Sequence, residues 1–331
     1  MTNDDTRLDG LRDWLAQHTD LKHFTLAPAS ADASFRRYFR VTADGTSYIA
    51  MDAPPDREDS RPFVAIDRLL EAAGVNVPRI HAQGLDQGYL LLSDFGNRHY
   101  LSALGEDSVE PLYDDALATL LRIQQAPADG LPPYDRQLLW REMELFRDWF
   151  LGTHLGLSLD TTQHAALDEV FEALIRAALE QPRMFVHRDY HSRNLMVVPE
   201  GNPGVLDFQD AVNGPLTYDL VSLLRDCYIA WPRQRVEGWA LGYRDRAVAA
   251  GIIDAVDDRD FLRWFDLMGI QRHLKAIGIF ARLNHRDGKP GYLADIPRTL
   301  DYVLAAGRLY DETLPLCRLI EQLDVRRRLA A

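Results

Sequence analysis

Cysteine and long apolar runs are scarce in this chain, and each scarcity excludes a class of protein. The two cysteines, Cys227 and Cys317, are too few for a disulfide scaffold and do not have the spacing of a metal site. No uncharged apolar stretch approaches the ~18 residues that a membrane helix needs, and no charged-then-apolar leader opens the sequence. We therefore expect a cytoplasmic protein that does not associate with a membrane.

Positive charge is also limited. Fifty acidic residues against 37 basic ones give a net charge of −13, and only Lys22, Lys275 and Lys289 are lysines. Because a protein that binds a phosphate backbone needs a basic stripe, we expect no nucleic-acid partner. The sequence implies no protein partner either.

Hydrophobic periodicity makes the first part of the chain rich in β-strands. Leucines at helical spacing predict a helix over 7–17, and a turn at residues 43–45 separates two predicted strands. After the first helix we expect strands over 35–42 and 46–51, a helix over 62–73, and short strands over 78–81 and 89–92.

From residue 109 onward helical stripes dominate. Three short apolar runs interrupt them, at 184–186, 195–198 and 205–208. Longer helical patterns follow at 216–230, 233–250, 259–284 and 294–312. The sequence thus predicts an α+β protein of two lobes: a small β-rich N-lobe over 1–96, a connection at about 93–97, and a large helical C-lobe over 97–331.

Residues 187–194 carry the most specific motif, His-Arg-Asp followed four residues later by Asn. Asp207-Phe208 follows between short apolar runs. Phosphoryl transfer needs a carboxylate to orient the acceptor hydroxyl, and an Asn carbonyl with a second carboxylate to hold Mg²⁺. The motif therefore predicts a kinase whose metal carboxylate is Asp207, although Gln209 stands where protein kinases have glycine.

A second tripeptide, Asp94-Phe95-Gly96, lies upstream of this loop, where the metal-binding Asp cannot be. We interpret residues 90–96, with Leu92 and Ser93, as the connection whose backbone pairs with adenine. No G-x₄-G-K-[ST] and no G-x-G-x-x-G occurs, which excludes a P-loop NTPase and gives no sign of a dinucleotide site.

These motifs resemble the aminoglycoside phosphotransferase family. The family's H-x-D-x-H-x-x-N loop matches residues 187–194, and its Asp-Phe with a downstream Tyr-Asp-Leu matches 207–208 and 218–220. The resemblance implies a protein-kinase-like two-lobe fold that uses ATP and Mg²⁺, with a catalytic Asp and His in the loop. The residues that match are Asp189 as base, His191 beside the acceptor or steadying the loop, and Asn194 and Asp207 as Mg²⁺ ligands.

Within that family the likeness is to a branch of bacterial amino-sugar kinases of cell-wall recycling. The segments SFRRYFRV, MDAPP and FVHRDYHSRNLMVV carry it, and it extends nearly end to end. It implies a small-molecule sugar substrate that is phosphorylated on its anomeric hydroxyl.

The predicted nucleotide site departs from the general kinase pattern. Met51 occupies the strand position where a kinase has lysine, and the phosphate loop, residues 30–34, has no glycine. Arginine binds phosphate oxygens bidentately and can replace that charge. The candidate cofactor-binding residues are therefore Ser34, Arg36 and Arg37, with Arg40 as a further cation, and Leu92 and Ser93 in the connection. Strand alternation puts Arg37 on the opposite face from Arg36 and Arg40, and the alternative is that these are solvated strand arginines.

The sugar pocket is the least defined part of the site. Arg272 and His273 lie in a polar cluster within a long apolar pattern, and His285 and Arg286 follow at its end. A cation there would suit a lactyl carboxylate. The alternative is a solvated helix face.

Two other functions stay open from the sequence. One is a kinase for a different small hydroxylated metabolite, such as an aminoglycoside, choline or a homoserine-like compound, and the acidic net charge favours a cationic acceptor. The other is a pseudokinase that binds nucleotide without turnover, which Met51 would suit. Retention of Asp189, Asn194 and Asp207 weighs against a pseudokinase.

Overall fold

The structure is a computed structural model that describes residues 6–31 and 35–329. Within those residues the strands are β1 (Thr25–Ala31), β2 (Arg37–Ala43), β3 (Thr46–Asp52), β4 (Ile80–Gly84), β5 (Tyr89–Ser93), β6 (Arg183–Val186), β7 (Leu195–Met196), β8 (Gly204–Val205) and β9 (Val212–Pro215). The helices are α1 (Thr6–His18), α2 (Arg61–Ala72), α3 (Tyr100–Ala103), α4 (Val109–Gln125), α5 (Arg136–Leu145), α6 (Thr161–Leu179), α7 (Tyr218–Leu224), α8 (Arg233–Ala249), α9 (Asp258–Asp287), α10 (Ile296–Gly307), α11 (Leu314–Gln322) and α12 (Val325–Leu329). A π-helix over Phe146–His154 continues α5.

The chain forms two compact units. The first comprises Met1–Leu112 and Asn194–Asp210, and the second comprises Tyr113–Arg193 and Ala211–Ala331. The first unit contains the large sheet and the second contains most of the helices, so the predicted α+β class is confirmed. The predicted lobe boundary between residues 96 and 97 stays a prediction, because the first unit continues to residue 112 and also includes a later segment.

The sheet of the first unit is antiparallel, with the order β1-β2-β3-β5-β4. The sequence did not predict β1, because Pro28 interrupts its pattern. Proline is confined to edge strands and bulges, and β1 is an edge strand whose register slips between Pro28 and Ser30. The first two residues of the predicted phosphate loop, Ser30 and Ala31, pair with β2, while residues 32–34 lie outside the described part.

Helix α1 covers one face of this sheet, as its leucine spacing predicts. Its buried side chains join those of β2, β3 and β5 in one apolar cluster made of Leu11, Trp14, Leu15, Phe39, Val41, Ala50, Tyr89 and Leu91. Each large apolar side chain buried in this way contributes about 1.5–3 kcal/mol. The α1 side of β2 is therefore a core face.

Helix α9 runs through the core of the second unit. Gly278 permits its close approach to α5, because a Cβ at that position would lie 2.3 Å from the carbonyl carbon of Leu145. The polar residues Arg272, His273 and Lys275 of α9 are all buried. The alternative of a solvated helix face is therefore wrong for this part of α9.

No helix in the described ranges has the combined length and apolarity that crossing a membrane requires.

Candidate active site

The loop after β6 carries the His-Arg-Asp motif, and a buried carboxylate fixes its backbone. Asp219, in the first turn of α7, accepts hydrogen bonds from the amides of His187 (2.6 Å) and Arg188 (2.9 Å). Burial raises the pKa of Asp219 to about 7, although the two amides act to lower it. Arg188 has a φ of 78°, a left-handed conformation that is costly outside glycine and that these bonds help to hold.

A second acid, Asp226, holds the other half of the loop. Its carboxylate accepts from the amide (2.9 Å) and hydroxyl of Ser192 and from the amide of Tyr228 (3.0 Å). Asp226 was not predicted as a site residue. The loop from His187 to Ser192, which includes Asp189, is thus held at its start by Asp219 and at its end by Asp226.

Asp189 itself is half-buried among cationic side chains. Loss of water contact raises its pKa, but the ammonium group of Lys275 and the imidazole of His191 oppose that effect. With further contributions from Arg272 and Arg188, the pKa of Asp189 lies below its ordinary value. At neutral pH the side chain is therefore a carboxylate that can accept a proton.

A buried network supports this arrangement. Lys275 donates to Glu142 (3.0 Å) and to the Tyr218 hydroxyl (2.9 Å). Glu142 also accepts from Arg188 (2.5 Å) and from the hydroxyl of Tyr134. Burial raises the pKa of Glu142, but Lys275 and Arg188 outweigh it and hold that pKa below its usual range. Glu142 therefore links α5 and α9 to the residue preceding Asp189.

His191 lies against the ring of Tyr228, edge to face, with centroids 5.5 Å apart. Burial lowers the pKa of His191, and the carboxylates of Asp226 and Asp189 only partly offset this. The pKa of His191 therefore lies below the ordinary value for histidine. The guanidinium of Arg193 stacks on the same tyrosine, 3.7 Å from its centroid.

The four residues predicted for the sugar pocket separate into two groups. Arg272 is buried, its Nη1 lies 3.7 Å from the sulfur of Cys227, and its charge acts on Asp189. His273 bonds the Arg225 carbonyl (2.8 Å) and stacks on a tyrosine, and burial lowers its pKa to about 3.

The other two lie at the exposed end of α9. His285 contacts His154 (3.1 Å), and Arg286 bonds the neighbouring Asp287. At 1.5 Å per residue, about 20 Å of helix separates Arg272 from His285. The structure thus does not bring these four residues into one small pocket.

The predicted metal ligands Asn194 and Asp207 meet in the first unit. The Asn194 side-chain amide donates to Asp207 Oδ2 (3.2 Å), and the Asn194 carbonyl accepts from the Leu206 amide (2.9 Å). Asp207 has a φ of 64°, a strained value of the kind found at functional positions. Gln209, which replaces the kinase glycine, donates to the other Asp207 oxygen (2.9 Å).

Backbone bonds hold these ligands to the rest of the unit. The strand β7 is extended by a bond from Val197 to the Arg98 carbonyl (2.7 Å), and β8 by one from Val205 to the Asn76 carbonyl (2.8 Å). Phe208 packs on Phe63 of α2, with ring centroids 4.8 Å apart. An amide oxygen and a carboxylate held together in this way fit Mg²⁺, which takes few protein ligands and completes its shell with water and phosphates.

The three arginines of the predicted nucleotide site have different partners. Arg36 contacts Glu58 and is electrostatically coupled to Asp207, whereas Arg37 pairs with Asp52, on the α1 side of the sheet. Arg40 bonds Asp94 through Nε (2.6 Å) and Nη2 (3.1 Å). Ser34 lies outside the described residues.

In the predicted connection, the Leu92 side chain is buried in β5, and the Ser93 amide donates to the carbonyl of Arg79 (3.0 Å). The Ser93 hydroxyl contacts His81 (3.1 Å). The Asp94 carboxylate pairs with Arg40 and accepts a hydrogen bond from the Gly96 amide (2.8 Å).

Comparison with known proteins gives one consistent result. The profile described as "Phosphotransferase enzyme family" matches residues 25–265. The chain is 50% identical over 314 residues to an N-acetylmuramate/N-acetylglucosamine kinase of Pseudomonas putida, with 92% of each chain covered. It is 43% identical over 319 residues to the protein of that name from Neisseria meningitidis, with 95% of each covered. Among solved structures, spectinomycin phosphotransferase with ADP and spectinomycin superposes with a TM-score of 0.61 at 13% identity, covering 90% of this chain and 97% of that one, which confirms the kinase-like fold.

Proposed function

The chain belongs to the phosphotransferase enzyme family and is a kinase, and we propose that it transfers the γ-phosphoryl group of ATP to the anomeric hydroxyl of N-acetylmuramate or N-acetylglucosamine. The observation that carries the substrate class is the 50% identity to a kinase of that name, over 92% of both chains. The product would be the sugar 1-phosphate, formed in the cytoplasm for peptidoglycan recycling.

Asp189 accepts the proton of the sugar hydroxyl. Its pKa lies below the ordinary value because Lys275 and neighbouring cations outweigh its burial, so it is ionised before the sugar binds. A carboxylate within hydrogen-bond distance of the hydroxyl orients the attacking oxygen. It takes the hydroxyl proton as the new phosphorus–oxygen bond forms, the bond from the γ-phosphorus to the bridging oxygen breaks, and ADP leaves. The clamps from Asp219 and Asp226 keep the loop in that position.

Asn194 and Asp207 would hold Mg²⁺. The ion, when bound, neutralises charge on the phosphate oxygens. The Asp207 carboxylate accepts hydrogen bonds from two side-chain amides, those of Asn194 and Gln209. Both amides are neutral, so they orient the carboxylate without neutralising it.

The nucleotide is held by the predicted N-lobe, residues 1–96. We assign the phosphates to Arg36, because the charge of Asp207 acts to raise the pKa of that arginine. Residues Leu92 and Ser93 border the adenine, and Ser34 belongs to the phosphate loop. Within the C-lobe, residues 97–331, Arg272 supplies a buried cation near Asp189 for the lactyl carboxylate of N-acetylmuramate.

A substrate panel with ATP and Mg²⁺ tests the proposal. N-acetylmuramate, N-acetylglucosamine, spectinomycin and choline would be incubated with the protein, and the phosphate position in each product read by ³¹P and ¹H NMR. Phosphate on C1 of either amino sugar is expected, with the Asp189→Asn variant as the inactive control. Phosphorylation of choline or spectinomycin alone would replace this proposal with a kinase for another hydroxylated metabolite.

A further inference from the structure

Glu58 lies between the Met-Asp-Ala-Pro-Pro segment and helix α2, and its carboxylate contacts two consecutive residues before β2. One oxygen accepts from the amide of Phe35 (3.2 Å), and the other lies 3.3 Å from Nη2 of Arg36. The Arg36 and Glu58 side chains are only 10% and 17% exposed. A single acid thus fixes both the backbone and the guanidinium at this point.

Arg36 is also affected electrostatically by two acids that follow β8, Asp207 and Asp210. Burial lowers the pKa of Arg36, but Tyr38, Glu58, Asp207 and Asp210 together raise it above its ordinary value, so the guanidinium is cationic. Asp207 is the proposed metal carboxylate. Arg36 therefore has Glu58 and the metal-site acids as competing partners.

The strand position that usually supplies a phosphate-binding lysine is filled by Met51, which is fully buried in β3. Its backbone pairs with β2 on one side and β5 on the other, and a thioether cannot bind phosphate. Kinases of this kind orient their lysine with an acid from the following helix. Here the residue adjoining β2 is an arginine, and the acid that contacts it comes just before α2.

We propose that Glu58 is the positioning residue for Arg36: it holds the guanidinium where the nucleotide phosphates bind and keeps it from pairing with the metal carboxylate Asp207. The inference rests on the proposed function, because it assumes the ATP and Mg²⁺ sites given above. It adds a residue that the motifs of the sequence do not reveal.

The other arginine–acid pair of this sheet does not have that arrangement. Asp52 is fully buried and takes two arginines, Arg7 and Arg37, on the face that packs on α1. That cluster joins α1 to β3. Glu58 instead contacts Arg36, and the charges of Asp207 and Asp210 act on that arginine.

Removing the charge of Glu58 has a defined consequence. Among the acids of the described residues that raise the pKa of Arg36, Asp207 and Asp210 would then remain. An ion pair with Asp207 would compete with Mg²⁺ for the same oxygens. We therefore expect Glu58→Gln to weaken binding of the Mg²⁺-nucleotide and to raise the Mg²⁺ concentration needed for half-maximal binding. Adenine recognition would be unaffected.

Calorimetric titration of the full chain tests this with two probes, Mg²⁺·AMP-PNP and adenosine. Glu58→Gln should bind Mg²⁺·AMP-PNP about tenfold more weakly, the factor that one charge-assisted hydrogen bond represents, with adenosine affinity unchanged. The matched control is Asp59→Asn, which removes the same charge one residue away from an exposed pair with Arg61. It should leave both affinities, and the Mg²⁺ requirement, as in the wild type. Thermal melting of each variant verifies the fold.

Double variants separate positioning from direct binding. Once Arg36→Ala is present, adding Glu58→Gln should cause no further loss, because the residue that Glu58 positions is gone. Full additivity, or an equal loss of adenosine affinity in Glu58→Gln, would overturn the inference. Binding of Mg²⁺·AMP-PNP by Glu58→Gln within twofold of wild type would overturn it as well. If the wild-type chain bound Mg²⁺·AMP-PNP no better than adenosine, the proposed function itself would fail, and the inference with it.

Discussion

Substituting the three arginines around β2 one at a time should give three different phenotypes. Arg36→Ala should raise the apparent KM for ATP, because Arg36 is the arginine coupled to the metal-site acids. Arg37→Ala should instead lower stability, because Arg37 pairs with the fully buried Asp52. Arg40→Ala should have little effect on either property, since its partner Asp94 lies at the end of β5.

The magnitudes follow from the partners. A hydrogen bond to a charged group contributes about 1.5–3 kcal/mol, so loss of the Arg36 contact should raise the KM for ATP roughly 10- to 150-fold. Asp52 retains Arg7 when Arg37 is removed, so we expect a cost of about 1–3 kcal/mol in the free energy of unfolding. The Arg40 side chain is 26% exposed, and a pair of this kind contributes about 0–1 kcal/mol.

Two measurements distinguish these outcomes: initial rates against ATP concentration at saturating sugar, and urea unfolding followed by fluorescence. The KM effect should appear in Arg36→Ala alone, and the fall in unfolding free energy should be largest in Arg37→Ala. Three equally mild effects on KM would mean that backbone amides and metal hold the phosphates without an arginine. A KM effect confined to Arg37→Ala would place the phosphates on the other face of the sheet.

Four further predictions concern the acids and the buried lysine. Asp189→Asn should lower kcat by ~10²–10⁴-fold with nucleotide affinity retained, and a steady-state kcat within tenfold of wild type would move the base elsewhere. Asp207→Ala should abolish Mg²⁺-dependent binding of AMP-PNP in calorimetry while Asp94→Ala keeps it; the reverse result would transfer the metal site to Asp94. Lys275→Met should move the acid limb of the kcat–pH profile to higher pH, because the lost cation no longer opposes the rise that burial causes in the pKa of Asp189, and an unmoved limb would contradict that coupling. Burial raises the pKa of Asp67 to about 7. The protonated Asp67 side chain therefore contributes its full stability below about pH 4, and this contribution is lost as pH rises through 7. Asp67→Asn should flatten this decline in the free energy of unfolding, measured in urea between about pH 5 and 8, and an unchanged slope would refute the prediction.

Regular spacing of apolar residues was sufficient to predict several of the helices and strands. The leucine spacing of α1 and the alternation in β2 and β3 correspond to elements the structure contains, with boundaries shifted by one or two residues. Strand β1 was missed because Pro28 breaks its pattern, and only pairing with a distant strand makes that segment extended. The π-helix was missed because its apolar residues, Phe146 and Phe150, also fit an α-helical stripe.

The motif residues could be predicted from the sequence, whereas Glu142, which bonds a residue of the motif, could not. Asp189, Asn194 and Asp207 were predicted as site residues because their residue types and spacing suit phosphoryl transfer. Glu142 bonds Arg188, the residue before Asp189, from 46 positions earlier in the chain, a separation that no local pattern encodes. One signal was present nonetheless, since Glu142 interrupts the apolar stripe that includes Leu139 and Met143. A charged residue within a buried stripe indicates that its partner must be sought elsewhere in the chain.

The same reasoning explains why the sugar pocket was the weakest prediction. Polar residues of one helix can share a site only if they lie on the same face and within a few turns of each other. Helix α9 has 30 residues, so its two ends are too far apart for this. Arg272 and Lys275 lie within one turn of each other, and both charges act on Asp189. His285 and Arg286 lie beyond that reach, on the exposed last turn. We therefore propose the buried middle of α9, rather than its exposed end, for recognition of an anionic substituent, because solvent weakens the electrostatic attraction of a cation less at a buried position.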